Sequence, residues 1–409
     1  MKWRWQRWIW ILSLWPPLSL GGINTTWLVE LGVVGGVGWL IWKDKESRWN
    51  WLRYKTSWWF LGWGVIVSLS AIKVVYWVSF GKMWWKWLAG LAWLWLMDWG
   101  YRKPSDLKEV INSFFIVGWI KVGLEAGLYS RTVKDLELKL LASSLVSSIR
   151  ANWLRGRTII SFFNEPMIVA GWWWWLKSKH WKRWLGWLLI VSSGVVVFMS
   201  NWRGRMIVWL MAVFGGGLGL GKRKVKRWFV GVVIVGIMLL ALDRLMLVNR
   251  GYSVIDRLLN KDRIEDKGTL SWRAKAFQEA GEMASYSLFG VGMGQFYNLT
   301  SLKGRLNFET VHLDDASKYG PHNLFFQFLA ETGWLGWGWL VLGLSWFGWL
   351  DISRWQRYNQ EMKGVSLVFW LTVGVTQFYP AISWEFVGLF FGLRGLLMKW
   401  AEANDGEIG

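Results

Sequence analysis

The sequence contains no cysteine among its 409 residues and only three histidines. The absence of cysteine excludes disulfide bonds, thiolate nucleophiles and cysteine-ligated metal ions. Recognisable nucleic-acid-binding modules, such as zinc fingers and RNA-recognition motifs, are missing as well. Chemistry that needs an imidazole must therefore use His180, His312 or His322.

Acidic residues are scarce relative to basic ones, 27 against 48, which gives a formal net charge of +21. Such a charge could indicate nucleic-acid binding, but the basic residues cluster between apolar runs, for example at 177–183 and 222–227. Cytoplasmic loops of membrane proteins have this distribution, because lysine and arginine are enriched there. We therefore expect contact with membrane lipids and no nucleic-acid partner.

Hydrophobic residues make up 54% of the chain, and apolar runs recur along most of its length. This pattern is typical of an all-α polytopic membrane protein. We predict one integral membrane domain over residues 1–409, with about twelve transmembrane helices and a retained first span instead of a cleaved signal peptide. The predicted spans are approximately 8–20, 25–42, 57–79, 84–98, 110–127, 162–176, 184–200, 206–220, 228–247, 324–350, 364–380 and 383–399.

Residues 135–149 are also partly apolar, but charges at their start and serines later favour an amphipathic helix on the membrane surface. With twelve spans, both termini are predicted to be cytoplasmic. The longest predicted external loop, 248–323, lies between the ninth and tenth spans and has nearly balanced charge, unlike the internal loops. The predicted internal loops are 43–55, 99–109, 177–183, 221–227 and 351–363, and the other external segments are 128–161, 201–205 and the turn near Pro380.

The long external loop is predicted to contain a helix over residues 270–287, followed by the run Gly290-Val291-Gly292-Met293-Gly294. The glycine spacing could indicate a nucleotide-binding loop or a tight turn. We predict the turn, because no strand precedes the glycines and no Lys-Ser or Lys-Thr pair ends them.

Several arginines fall on the predicted external side. Arg203 and Arg205 either anchor a helix end by snorkelling or form an anion site, since the planar guanidinium group suits phosphate oxygens. Arg273 in the loop helix is either a solvated charge or part of the same site. Arg155, next to Arg157, belongs to another external segment.

His322 lies at the junction of the long polar loop and an apolar helix, where an imidazole could act on a lipid-borne substrate. The alternative is purely structural, because Asn323 can cap the helix that follows. Glu331, nine residues on, faces away from His322 on an unbroken helix and is predicted to pack or to position other groups. His312 with Asp314 and Asp315 matches no strong ligand spacing, so we predict no metal site.

These motifs, taken in chain order, resemble the O-antigen ligase family, which includes O-antigen polymerases and bacterial protein O-oligosaccharyltransferases. Arg203-Gly204 is similar to the Ser-Arg-Gly turn of the family, with Trp202 in place of serine. His322-Asn323, followed by Glu331-Thr332-Gly333-Trp334-Leu335-Gly336, resembles its most specific signature.

Two further segments extend the resemblance. Arg273, followed by Phe289-Gly290-Val291-Gly292-Met293-Gly294, resembles the arginine that opens the family's loop helix and the residues after it. The stretch from Leu154-Arg155 to Asn164-Glu165-Pro166 is a fainter match to an upstream segment, with the order of asparagine and proline changed.

The resemblance implies a GT-C-like membrane glycosyltransferase that needs no metal, nucleotide sugar or other cofactor. Such enzymes transfer a glycan from a polyprenyl diphosphate, such as undecaprenyl diphosphate, to an acceptor hydroxyl on the outer face of the cytoplasmic membrane. Arg203 and Arg273, with Arg205, would bind the diphosphate, and His322 would orient or deprotonate the acceptor. Possible substrate-positioning residues are Arg155, Asn323 and Glu331.

The implied chemistry suits these residue types. A lipid diphosphate is a good leaving group, so catalysis mainly requires cations that neutralise its charge and a base that positions the acceptor. Direct displacement at the anomeric carbon would invert its configuration. The acceptor, whether a lipid A core, another saccharide or a protein hydroxyl, stays open, as does the choice between ligase and polymerase.

The alternative function, from another class of protein, is a transporter or flippase of lipid-linked glycans. Such a protein would be expected to have charges at the membrane midplane and repeat symmetry between its halves. The sequence has no clear repeat, and its candidate functional charges fall on one predicted face. We therefore predict an enzyme, with Arg203, Arg273 and His322 meeting in one external cavity.

Overall fold

A computed structural model of the chain describes residues 8, 10–11, 14, 19–20, 23–43, 49–101, 106–134, 165–200, 203–220, 276–299, 323–376 and 384–402. These residues are mostly helical, and a minimal ladder pairs β1 (Ser19–Leu20) with β2 (Ile23–Asn24). The predicted all-α class is thus confirmed for the described part of the chain.

Among the described residues, eleven helices are numbered in chain order. They are α1 (Thr25–Lys43), α2 (Lys55–Leu69), α3 (Trp77–Gly100), α4 (Leu107–Lys134), α5 (Ile168–Lys177), α6 (Lys182–Ser200), α7 (Arg203–Leu220), α8 (Phe296–Leu299), α9 (Leu324–Ser353), α10 (Gln360–Val375) and α11 (Trp384–Glu402). Residues 276–285 are also helical, and short 3₁₀ turns cover Asn50–Arg53, Ser70–Lys73 and Glu165–Met167.

The chain divides into two compact units. The first comprises residues 1–22 and 108–269, and the second comprises residues 23–107 and 270–409. The sequence-based expectation of one integral membrane domain over residues 1–409 stays a prediction.

In the first unit, α5 packs against both α6 and α7. The α5–α6 contact is close because glycines face each other: a Cβ atom on Gly171 would lie 2.9 Å from the carbonyl oxygen of Gly186. On the other side of α5, the fully buried Trp172 ring occupies the space beside Gly216, where a Cβ atom would overlap it. Small residues therefore allow the bulky indole to pack between helices.

In the second unit, α3 packs on α11, and α2 packs on α9. Trp59 of α2 and Trp339 of α9 exchange hydrogen bonds: each indole N–H donates to the other residue's carbonyl oxygen, at 3.1 and 3.0 Å. The Glu402 carboxylate of α11 accepts hydrogen bonds from the Lys55 and Thr56 amides at the start of α2. It satisfies amides that the helix itself cannot pair.

An aromatic cluster fills the interior of the second unit. Phe60 and Phe391 stack at 4.4 Å between centroids, and Trp63 is nearly parallel to Phe391 at 6.1 Å and 4°. Gly90 of α3 makes room for the Phe391 ring, since a Cβ atom there would lie 2.7 Å from it. Burial of these rings is a large apolar contribution to the packing of α2, α3 and α11.

The predicted spans 25–42, 184–200, 206–220, 324–350 and 383–399 each coincide with a helix to within three residues at both ends. The spans 84–98, 110–127, 162–176 and 364–380 overlap a helix whose ends differ from the prediction by up to seven residues.

The predicted span 57–79 is wrong. Helix α2 ends at Leu69, a 3₁₀ turn covers Ser70–Lys73, and α3 begins at Trp77. The apolar run continues through this connection, so hydropathy alone does not reveal the break. The predicted span 228–247, most of 8–20 and the amphipathic helix 135–149 lie outside the described residues.

Among the helices of the described residues, none combines the length and the apolar character needed to cross a membrane. The count of twelve spans and the membrane topology stay predictions.

Candidate active site

Helix α9 begins with a capped turn. The side-chain oxygen Oδ1 of Asn323 accepts hydrogen bonds from the amides of Phe325, at 2.9 Å, and Phe326, at 3.3 Å. The Leu324 amide donates to the carbonyl oxygen of Thr376, at the end of α10, at 3.0 Å. The predicted cap is confirmed, and it fixes the start of α9 against α10.

Helix α9 is interrupted at Gly333, where φ is 65° and ψ is −169°. Side-chain-bearing residues rarely adopt this conformation, which is essentially restricted to glycine. The space is closed as well, because a Cβ atom would overlap the Leu288 carbonyl oxygen and lie 2.5 Å from the Gly290 amide nitrogen. The glycine of the Glu331-Thr332-Gly333 motif is therefore required by the backbone.

A glycine turn fills the break in α9. Gly290, Gly292 and Gly294 have φ values of 69°, 102° and 77°. The Val291 amide donates to the Ala330 carbonyl, and the Gly292 amide donates to the Glu331 carbonyl, both at 3.0 Å.

These bonds replace those that the helix loses at Gly333. In a continuous α-helix, the carbonyls of Ala330 and Glu331 would accept hydrogen bonds from residues 334 and 335. Instead, the Leu335 amide donates to Leu288, at 3.4 Å, and the turn supplies donors to the freed carbonyls. The sequence-based prediction of a tight turn at 290–294 is confirmed.

Glu331 joins the same turn through its side chain. Its carboxylate is 1% exposed, and Oε1 accepts hydrogen bonds from the Phe296 amide, at 3.2 Å, and from Gln327 Nε2, at 3.3 Å. A backbone hydrogen bond from Gly294 also reaches it. Within the described residues, Oε2 has no hydrogen-bond partner. The carboxylate thus holds α8 and the glycine turn against α9.

The turn is anchored on its other side to the connection between α2 and α3. Gln295, which is fully buried, accepts hydrogen bonds from the amides of Val75, at 3.3 Å, and Tyr76, at 2.8 Å, and donates to the Tyr76 carbonyl at 3.0 Å. The Met293 amide donates to Ser70 Oγ at 3.1 Å. Residues distant in sequence therefore build one rigid frame around the start of α9.

In the first unit, the arginine pair lies in the first turn of α7, which begins at Arg203. Arg205 is 4% exposed, and its Nη2 atom lies 3.2 Å from Oε1 of the fully buried Glu125 on α4. Sequence analysis did not identify Glu125, although a lone carboxylate within the apolar run 110–127 was an available signal.

The comparisons with known proteins identify this region. Residues 188–341 match a family model described as O-antigen ligase. Residues 188–341 are similar to the O-antigen ligase family. The matched segment contains the α7 arginines, the glycine turn and the motif from His322 to Gly336, so the resemblance seen in these residues is confirmed. A search of curated proteins finds no match.

The O-antigen ligase family match implies an enzyme of the ligase or polymerase type, associated with a bacterial membrane and with polysaccharide synthesis.

Arg155 lies outside the matched segment, whereas Arg203, Arg205, Arg273, His322, Asn323 and Glu331 lie inside it. His322, Arg273 and Arg155 fall outside the described residues, as do His312, Asp314 and Asp315. Among the described residues, no group of three or more histidine, aspartate or glutamate side chains could hold a metal ion.

A second polar network, at the far end of α9, was not expected from sequence. Asp351 accepts hydrogen bonds from Arg394 Nη1, at 2.9 Å, Tyr358 Oη, at 3.1 Å, Ser366 Oγ, at 2.7 Å, and Trp370 Nε1, at 2.9 Å. Burial and the Asp351 charge raise the pKa of the Tyr358 hydroxyl. This network ties α9, α10 and α11 together and has the character of a structural core.

Proposed function

We propose that the protein transfers a glycan from a polyprenyl-diphosphate carrier to an acceptor hydroxyl at the outer face of the cytoplasmic membrane. The match of residues 188–341 to the O-antigen ligase family carries this proposal, because the segment contains Arg203, Arg273 and His322. The rigid frame around Asn323, Glu331 and Gly333 supports it, since a catalytic group needs a fixed support.

The arginines neutralise the charge that develops on the diphosphate as the glycosidic bond breaks. Arg203 and Arg273 contact the diphosphate oxygens, and Arg205, oriented by Glu125, contributes to the same anion site. No cation other than these side chains is required by the proposal, which is therefore metal-independent. Arg155 helps to hold the donor.

His322 orients the acceptor hydroxyl and removes its proton as the oxygen attacks the anomeric carbon. The oxygen–carbon bond forms as the bond to the diphosphate breaks, so the anomeric configuration inverts. An imidazole is a suitable base near neutral pH, and such bases typically contribute about 10²–10⁴-fold to a rate. His322 is adjacent in sequence to Asn323, which caps α9.

A lipid-linked glycan transporter is the second candidate, and one observation favours keeping it. Two buried charges lie within predicted spans: Glu125, which pairs with Arg205 just before the span 206–220, and Arg394, which pairs with Asp351 just after the span 324–350. Charges inside spans can mark a transport pathway. Both pairs are ion-paired and hydrogen-bonded, however, which also suits a static structural role.

Purified full-length protein, a polyprenyl-diphosphate glycan and candidate acceptors separate these functions. The enzyme is expected to produce a covalent glycan–acceptor product, identified by mass, with unchanged yield after chelation of divalent cations. Lipid A core, a free saccharide chain and a serine or threonine peptide serve as acceptors, and extension of the donor glycan itself identifies a polymerase. Movement of a labelled donor across vesicles without any covalent product would instead establish transport.

A further inference from the structure

A cationic cavity lies in the first unit, outside the segment that matches the O-antigen ligase family. Its volume is about 810 Å³, and it opens between the first turns of α4 and the loop that joins α5 to α6. Its basic lining residues are Lys108, Lys177, Lys179, His180 and Lys182. All the lining residues belong to the described part of the chain, and none of them is acidic.

Ring stacking and a hydrogen bond hold the wall of the cavity together. The Trp174 ring stacks on Phe115 with 4.3 Å between centroids and an interplanar angle of 7°, and its Nε1 atom donates to Asn112 Oδ1 at 3.1 Å. The close glycine contact between α5 and α6 fixes the hairpin, and His180 in its loop has a φ of 51°. The cations are thus presented by a preformed concave surface.

The arrangement of charge is unfavourable without an anion. Lys108 comes from α4, and Lys179 and Lys182 come from the hairpin, so like charges from separate elements face one cavity. Lys182 and Arg183 also occupy the first turn of α6, where the helix dipole favours negative charge, and that turn contains no acidic residue. A bound anion would relieve both effects.

Exposed tryptophans lie in the cavity lining and next to it in sequence: Trp181 lines the cavity, and Trp184 follows in the first turn of α6. Trp181 is 65% exposed and Trp184 is 49% exposed, and the Arg183 guanidinium lies 5.4 Å from the centre of the Trp184 ring. Exposed tryptophans beside lysine and arginine are characteristic of the lipid–water interface. An anion beside interfacial tryptophans is best supplied by an amphiphile, because the apolar part of the amphiphile can remain in the lipid.

We propose that this cavity binds a phosphate group, supplied by the headgroup of an anionic phospholipid, with Trp181 and Trp184 in the interfacial layer beside it. The Lys108, Lys179 and Lys182 ammonium groups contact the phosphate oxygens. The cytoplasmic side predicted for loop 177–183 agrees with this source, because the cytoplasmic leaflet is rich in anionic lipid. A free phosphate or diphosphate offers the same oxygens, so the experiment must separate the two sources.

The test uses full-length protein in neutral-lipid nanodiscs or mixed micelles, titrated with phosphatidylglycerol, with phosphatidylcholine as the neutral reference. Lipid binding is read by native mass spectrometry. The variant Lys108→Gln/Lys179→Gln/Lys182→Gln removes three exposed cavity charges. The matched control, Lys43→Gln/Lys55→Gln/Lys73→Gln, removes three exposed charges elsewhere and changes the net charge equally.

We expect the cavity variant to bind phosphatidylglycerol about tenfold or more weakly than the control does, with an unchanged thermal midpoint. If millimolar inorganic pyrophosphate or phosphate competes with the lipid, phosphate binding in the cavity is supported, and the bound phosphate group is assigned to the free anion. Lack of competition supports the lipid headgroup. Equal phosphatidylglycerol affinity in the two variants would overturn the proposal.

Discussion

At the scale of single residues, three candidate site residues have polar partners within the protein. Asn323 caps α9, Glu331 holds the glycine turn, and Arg205 pairs with Glu125. Such contacts suit residues that position a site. In the proposed reaction, direct contact with the donor and acceptor then falls mainly to Arg203, Arg273 and His322.

Asn323→Ala is predicted to lower the free energy of unfolding by about 0.5–2 kcal/mol, because the amides of Phe325 and Phe326 lose their acceptor. Asn323→Asp keeps a cap oxygen and should retain most of that stability. Chemical denaturation in detergent micelles measures both variants. Wild-type stability in Asn323→Ala would show that the cap contributes nothing.

Arg205 and Glu125 are predicted to be energetically coupled, because both are buried and their atoms lie 3.2 Å apart. A double-mutant cycle with Arg205→Met and Glu125→Gln should give a coupling free energy of about 0.5–3 kcal/mol. The free energies of unfolding of the wild type, the two single variants and the double variant supply the cycle. Strictly additive effects would mean that the pair is not a stabilising contact.

At the scale of elements, local sequence patterns predicted some features and missed others for a physical reason. Helices α6 and α9 are predicted well, because each is an apolar run bounded by charged or polar residues. The glycine turn at 290–294 is also predicted, because its glycine spacing reflects local backbone geometry.

The break between α2 and α3 is missed because distant residues stabilise it. Gln295 pairs with the main chain of Val75 and Tyr76, about 220 positions earlier in the chain. The sequence also did not predict the hydrogen bond between Glu331 and Phe296 or the ion pair between Arg205 and Glu125, because these partners are distant in the chain. Such pairings depend on tertiary packing, so no local period or motif reveals them.

Gly333→Ala is predicted to be destabilising by roughly 1–3 kcal/mol, since alanine would have to adopt φ near 65° and its Cβ would meet the Leu288 carbonyl. Gly281→Ala is the matched control, because it lies in a helical segment and its Cβ would meet nothing within 4 Å. Thermal and chemical unfolding compare the two. A Gly333→Ala protein as stable as Gly281→Ala would contradict the described break in α9.

Gly343→Ala is predicted to loosen the contact between α9 and α2, because the new Cβ would overlap the Trp59 ring. Gly338→Ala, on the same helix, should be neutral or slightly stabilising, since its Cβ is unobstructed and alanine favours helix. Gly343→Ala should cost less when combined with Trp59→Phe, whose smaller ring leaves space. An equal cost in both backgrounds, measured by chemical denaturation, would contradict this packing.

At the scale of the whole molecule, the charge is distributed in two ways. Most of the net charge of +21 arises from basic clusters between apolar runs, whereas the buried cations Arg205 and Arg394 face carboxylates. In the proposed mechanism, Arg203 and Arg273 provide the charge for the donor diphosphate. The location of Arg203, Arg273 and His322 on one external face of the membrane stays a prediction.

The most direct test of the proposed function is glycan transfer by purified His322→Ala, with a polyprenyl-diphosphate glycan as donor and product mass as readout. His312→Ala, which removes another imidazole of the same predicted loop, is the control. We predict that His322→Ala lowers the transfer rate about 10²–10⁴-fold, while membrane insertion and thermal midpoint are unchanged. Undiminished transfer by His322→Ala would contradict the role of His322 as the base.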